Sequence, residues 1–179
     1  MVKKICLSIS LVLLLIGCDT KRRYLTMNKA PYNGDELRID GYYYSNPRYE
    51  NGPIRVAVFY PDGFCFFIGV EPKGTDTLSY IENEILLNDS YISKLKREPD
   101  HIGVFEVAYP DIVIEAWETK SIIFRWHGEI VDETTFLIKE AKSNRTNKVE
   151  QQNLTFRFVE FSPKPNSSND FTRSLIILD

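Results

Sequence analysis

The chain predicts a mainly β domain, an eight-stranded antiparallel up-and-down barrel with a helical insertion between the third and fourth strands. Three observations carry this. Eight segments alternate apolar and polar residues or run continuously apolar over strand length. Short turn-forming links join most of them in sequence order. One stretch alone switches to helical periodicity. Closing eight sequential strands into a barrel removes the exposed edges of the sheet. A β-sandwich or an open α+β sheet is the alternative arrangement of the same strands.

The first strand is read over residues 37–43, where Leu37, Ile39, Gly41 and Tyr43 alternate with Arg38 and Asp40. A loop rich in Asn, Pro and Gly follows. Residues 54–60 and 64–70 form a hairpin around Pro61-Asp62-Gly63, because proline presets the turn entry and glycine accepts positive φ. Both strands are apolar on both faces, which predicts cover from a helix or loop. Between 78 and 98, Leu78, Ile81, Ile85, Ile92 and Leu95 fall on one helical stripe. Ser79 and Glu82 have capping-box spacing, and Lys94, Lys96 and Arg97 suit the negative end of the helix dipole. Asn88-Asp89-Ser90 is placed to split the stripe into two helices, and Pro99 ends it. Strands then follow over 102–109, 111–118, 121–131, 134–142 and 153–161. Thr119-Lys120 and Asp132-Glu133 serve as tight links, and Pro110 marks a break. The barrel domain therefore spans 37–161. The Ser/Pro/Asn-rich start of 162–179 reads as a linker to a final strand or helix.

Ahead of the domain, Lys3 and Lys4 precede an apolar run over 5–16 that is too short to span a bilayer. This is the layout of a secretory signal peptide, here residues 1–17. Its exit, Leu15-Ile16-Gly17-Cys18, resembles the lipobox of bacterial lipoproteins. The resemblance implies cleavage before Cys18 and lipidation of that cysteine, a firm membrane anchor where two or three chains are attached. Residues 18–36 then form the lipidated cysteine and a flexible tether, with Lys21-Arg22-Arg23 beside the anchor available to anionic head groups. The implied location is the cell envelope, on the inner or outer membrane, facing the periplasm or the exterior.

Losing residues 1–17 leaves 162 residues and moves the formal charge from −3 to −5. A mildly acidic chain does not suit nucleic acid, where affinity comes largely from Lys and Arg on phosphates. Cys6 leaves with the signal and Cys18 carries lipid, so Cys65 remains alone and the domain has no internal disulfide. Stability must come from the core, for which eleven Phe and ten Tyr supply the material.

Asp40-Gly41-Tyr42-Tyr43-Tyr44 resembles the first strand of lipocalin-like barrels, whose Gly-x-Trp motif plugs the closed end; here Gly41-x-Tyr43 stands in its place. The chain is also similar to small lipocalin-like lipoproteins of the Bacteroidetes type. The resemblance implies an up-and-down barrel that binds a small apolar molecule. It also implies a late basic residue over the first-strand aromatic, for which Arg157 is available.

Strand parity places Tyr43, Phe66, Ile68, Phe105, Val107, Phe124, Trp126, Leu154, Phe156 and Phe158 on the inner face. Of these, Tyr43, Phe66, Phe105, Phe124, Trp126 and Phe158 are the candidate ligand-binding residues. The same side chains can instead pack against one another, since an eight-stranded barrel either fills or holds one small ligand. His101 and His127 do not have the partners or spacing of a zinc site. Cys65 sits in an apolar strand, where cysteines are inert. Glu115 and Glu118 read as surface solvation. Tyr42, Tyr44, Tyr49 and Tyr60 could form an aromatic platform or pack internally. The expectation is therefore a non-enzymatic, anchored protein without a cofactor, metal or catalytic group. Its partners would be membrane lipid through Cys18 and either a small apolar ligand or an envelope protein.

Overall fold

The computed structural model describes residues 24–47, 49, 52–73, 76–119 and 121–168. The signal peptide, Cys18, Lys21-Arg22-Arg23 and the final run 171–178 lie outside the described residues. Eight antiparallel strands close into one barrel in sequence order: β1 Gly41–Ser45, β2 Ile54–Phe59, β3 Phe64–Val70, β4 Ile102–Ala108, β5 Asp111–Thr119, β6 Ile122–Asp132, β7 Thr135–Ser143 and β8 Val149–Glu160. β1 closes on β8 with Tyr43 opposite Phe158. The sandwich and open-sheet alternatives are thereby excluded.

Between β3 and β4 lie α1, Thr77–Tyr80, a π-helical turn, Ile81–Leu86, and α2, Asp89–Arg97. The split at Asn88 follows its side chain, which accepts from Tyr91 N at the start of α2. The first helix is capped by Asp76, whose Oδ1 accepts from Ser79 N at 3.0 Å, and not by the Ser79/Glu82 pair expected from spacing. Ile81, Ile85, Leu86, Ile92 and Leu95 lie over the outer surface of β2 and β3, against Val56, Val58, Phe66 and Ile68.

The barrel wall thus separates two apolar layers. Inside are Tyr43, Ala57, Phe59, Cys65, Phe67, Phe105, Ile114, Trp126, Phe136, Ile138, Leu154 and Phe156. Phe66 and Ile68 do not face the interior as expected; they belong to the outer layer. The register fixes this: Ala57 pairs with Phe67 and Phe59 with Cys65, so the inward parity of β2 selects the odd residues of β3.

One end of the barrel is closed by the segment preceding β1. Tyr32 N donates to Pro61 O, Leu37 N donates to the Tyr32 hydroxyl, and Arg38 N donates to Glu133 O. The Tyr43 hydroxyl bonds to Glu133 O and Arg38 O at the same end. Gly63, at φ +85°, faces Ala30 so closely that a Cβ would lie 2.1 Å from its carbonyl oxygen, so the turn needs glycine twice over.

The tether expected over 18–36 is corrected in its described part. Residues 24–36 run along the barrel wall and into its closed end. Glu115, 3% exposed on the outer side of β5, accepts from Thr26 N at 2.6 Å, Met27 N at 2.7 Å and Thr26 Oγ1 at 2.8 Å. It is a clamp rather than surface solvation. The described start of the expected linker, 162–168, is also bound. Lys164 Nζ donates to the Ile39 and Phe59 carbonyls, and the Tyr60 hydroxyl donates to Pro165 O at 2.6 Å. Burial holds the Lys164 ammonium below the usual lysine range.

Candidate functional site

The closed half of the barrel is filled. Phe136 and Phe156 stack at 4.5 Å between ring centroids, and Phe59 lies 4.6 Å from Phe105. Tyr43 touches Phe59, Phe136 and Phe158. These rings occupy the volume in which an apolar ligand would otherwise sit. The opposite end, where β1 passes to β2 and β5 to β6, holds an open recess of about 480 Å³.

Its inner wall is apolar, formed by Trp126 and Leu154, while Ile54 and Pro53 line the rim. Two charged residues face each other across it. Arg55 shares the inward parity of Ala57 and Phe59 on β2. Its Nη1 and Nη2 donate to the two carboxylate oxygens of Glu118 at 2.7 and 2.9 Å. The guanidinium also lies 4.6 Å from the Trp126 ring and 5.5 Å from that of Phe67. A bidentate pair laid on an indole face fixes the fork's plane, so the donor geometry is set before anything enters. The two side chains are 19% and 31% exposed, leaving both open to the recess.

His101 forms another part of the lining. It holds φ +68° because its backbone is bonded on both sides: His101 N donates to Trp117 O, and His101 O accepts from Phe67 N, each at 2.8 Å. Among the described residues, its buried Nδ1 has no hydrogen-bond partner. Burial pushes the imidazole below the usual histidine range, outweighing the nearby Glu118 and Asp100 charges. The ring therefore offers a neutral polar edge at pH 7. Tyr49, 63% exposed, Gln152, Gly69 and the exposed carboxylate of Glu71 complete the rim.

Chemically, the recess offers an aromatic face, a guanidinium that an incoming carboxylate or phosphate can share with Glu118, an uncharged imidazole and, at the rim, the Glu71 carboxylate. No group of three or more His, Cys, Asp or Glu among the described residues is placed to hold a metal ion.

Of the six sequence-selected residues, only Trp126 lines the recess. Tyr43 and Phe105 sit in the filled interior. Phe124 and Phe158 are partly buried against it, and Phe66 is outside the barrel under the helices. Arg157 is exposed and opposite Tyr44; the basic group over the Tyr43 cluster is Arg38, 4.4 Å from the Phe158 ring. Tyr42 and Tyr60 are buried outside the barrel wall, so the four-tyrosine platform does not form. Sequence reasoning missed Arg55, Glu118 and His101. The available signal was parity: Arg55 and Glu118 continue the inward faces of β2 and β5.

Cys65 is buried inside the barrel, and burial raises its thiol far above the usual range. No helix among the described residues is long and apolar enough to cross a membrane, which does not bear on strands. Comparison of the chain with protein-family models, with curated proteins and with solved structures finds no match.

Proposed function

We propose that this chain is a lipid-anchored binding protein of the cell envelope, similar in layout to lipocalin-like lipoproteins, and that it holds a small ligand at the barrel mouth. The observation that carries the reading is the recess of about 480 Å³ over Trp126 and Leu154, rimmed by the Arg55–Glu118 pair. Its volume falls within the roughly 300–1,000 Å³ typical of small-molecule sites, and its few polar groups converge on an apolar wall. The ligand class that fits has a compact apolar body against Trp126 and an acidic or hydrogen-bonding end at Arg55 and His101. The role is binding rather than catalysis. Cys18 supplies the anchor, with its lipid contacts on the inner or outer membrane.

Titration of the mature chain with fatty acids, sterols and haem-like compounds tests this reading. Trp126 emission is followed in a Trp117→Phe background, because Trp117 is buried under the helices. Saturable quenching that Arg55→Ala weakens is the expected result; the absence of saturable binding across the panel would overturn it.

A second reading has its own observation. The filled interior suits an envelope protein–protein adaptor whose barrel is a rigid platform. Crosslinking in intact cells separates the two, since an adaptor gives one dominant protein adduct and a carrier gives none.

A further inference from the structure

The route of the segment before β1 orients the barrel. From Ala30, which meets Gly63 at the closed end, the chain runs backward along the wall to Thr26, held by Glu115. Arg125 Nη2 donates to Thr26 Oγ1 at 2.7 Å. Thr26 and Arg125 share a recess of about 230 Å³ with Lys142, Asn144 and Asn147 of the β7–β8 hairpin. That hairpin stands at the open end, where Asn144 N donates to Ile123 O and Asn144 Oδ1 accepts from Ile123 N. Leu25 packs on the outer layer that contains Trp117 and Ile123. The chain therefore climbs toward the mouth as it approaches its N-terminal side. Five residues lie between Cys18 and Tyr24, six Cα steps with a reach of at most about 22 Å.

Charge differs between the closed end and the β7–β8 hairpin, while exposed Glu71 and Asp76 lie beyond the open end of β3. Exposed Asp35, Asp40, Asp111, Asp132, Glu133 and Glu160 surround the closed end. The basic groups there are engaged: Arg38 with Asp40 and Glu160, Lys164 with two carbonyls, and Lys29 over the Phe64 ring. The β7–β8 hairpin instead presents exposed Lys142, Arg145 and Lys148, with Glu150 near Lys148 as its acidic neighbour.

We propose that the barrel meets the bilayer mouth-first, with Lys142, Arg145 and Lys148 of the β7–β8 hairpin seated on anionic phospholipid head groups and the acidic closed end turned away. The proposal rests on the anchor reading for its geometry. It places the recess at the membrane surface, so its ligand exchanges with the lipid phase rather than with bulk water.

The test couples the Cys18 thiol of chain 18–179 to a maleimide phospholipid; Cys65, inside the barrel, does not compete. The coupled chain is placed on vesicles of phosphatidylcholine and phosphatidylglycerol carrying a diazirine head-group lipid, and adducts are mapped by mass spectrometry. Adducts concentrated on residues 142–149 are expected. Adducts on the closed-end turns 109–111 and 132–134, or no bias between the ends, overturn the proposal. Independently, K142E/R145E/K148E in the uncoupled mature chain should lower affinity for phosphatidylglycerol vesicles by about tenfold or more without shifting the melting midpoint. Unchanged affinity overturns it as well. Retention of Cys18→Ala on cell membranes would instead count against the anchor reading, while the coupled chain still reports which end meets lipid.

Discussion

Replacing Glu115 by Ala should detach the segment at Thr26 and Met27 while leaving the barrel folded. The carboxylate accepts two backbone N–H bonds and one hydroxyl bond at 2.6–2.8 Å, and it is 3% exposed. Hydrogen bonds to a charged group contribute roughly 1.5–3 kcal/mol each. Their sum overstates the loss, because the freed donors regain water once the segment lifts. Arg125 adds little, being 37% exposed and 3.3 Å away. The expected cost to the docked state is about 2–4 kcal/mol. That corresponds to roughly 1.5 to 3 decades of lost hydrogen-exchange protection at the Thr26 and Met27 amides. The Tyr32 amide, bonded to Pro61 O, should stay protected, and the urea midpoint should move less than the local loss implies. Glu115→Gln keeps one acceptor oxygen and should fall between Ala and the parent. Unchanged exchange at Thr26 and Met27 in Glu115→Ala would refute the clamp.

Phe136→Ala removes a fully buried ring stacked on Phe156 and should cost about 3–5 kcal/mol in urea unfolding; a loss under 1 kcal/mol would mean the interior is not tightly filled. Cys65 should resist thiol reagents at pH 8 in the folded chain and react only on unfolding, which a time course with and without denaturant reads directly. His101 has its folded-state pKa depressed below the unfolded value of 6.5, so the unfolded chain binds the proton first. Its contribution is therefore intact above pH 6.5 and declines as pH falls through that value toward the folded pKa. His101→Asn, which tolerates the φ of +68°, should flatten that part of the stability–pH curve; an unaltered slope would contradict the assignment.

Strand number, the hairpin at Pro61-Asp62-Gly63 and the position of the helices were legible because period two, turn chemistry and the 3.6-residue stripe are local signals. Closure was legible only as the best use of eight sequential strands. The inward face of β3 was not. Phe64 to Ile68 is apolar throughout, so alternation carries no information, and only pairing with β2 decides that Cys65 and Phe67 go inside. The two segments read as tether and linker are polar and aperiodic, and their order comes from long-range partners: Glu115 for Thr26, and Tyr60 for Pro165. The mouth was missed for a related reason. Glu118 read as a surface charge and Arg55 drew no reading within an apolar strand; their value lies in facing each other across the barrel, a juxtaposition that closure alone creates.

The most direct test of a small ligand held at the mouth of a filled barrel is the native mass of chain 19–179 recovered from its host's envelope space. An added small-molecule mass that denaturation removes and that Arg55→Ala fails to retain is the expected result. A bare protein mass for the parent chain, alongside intact folding, would contradict it and move the search to protein partners.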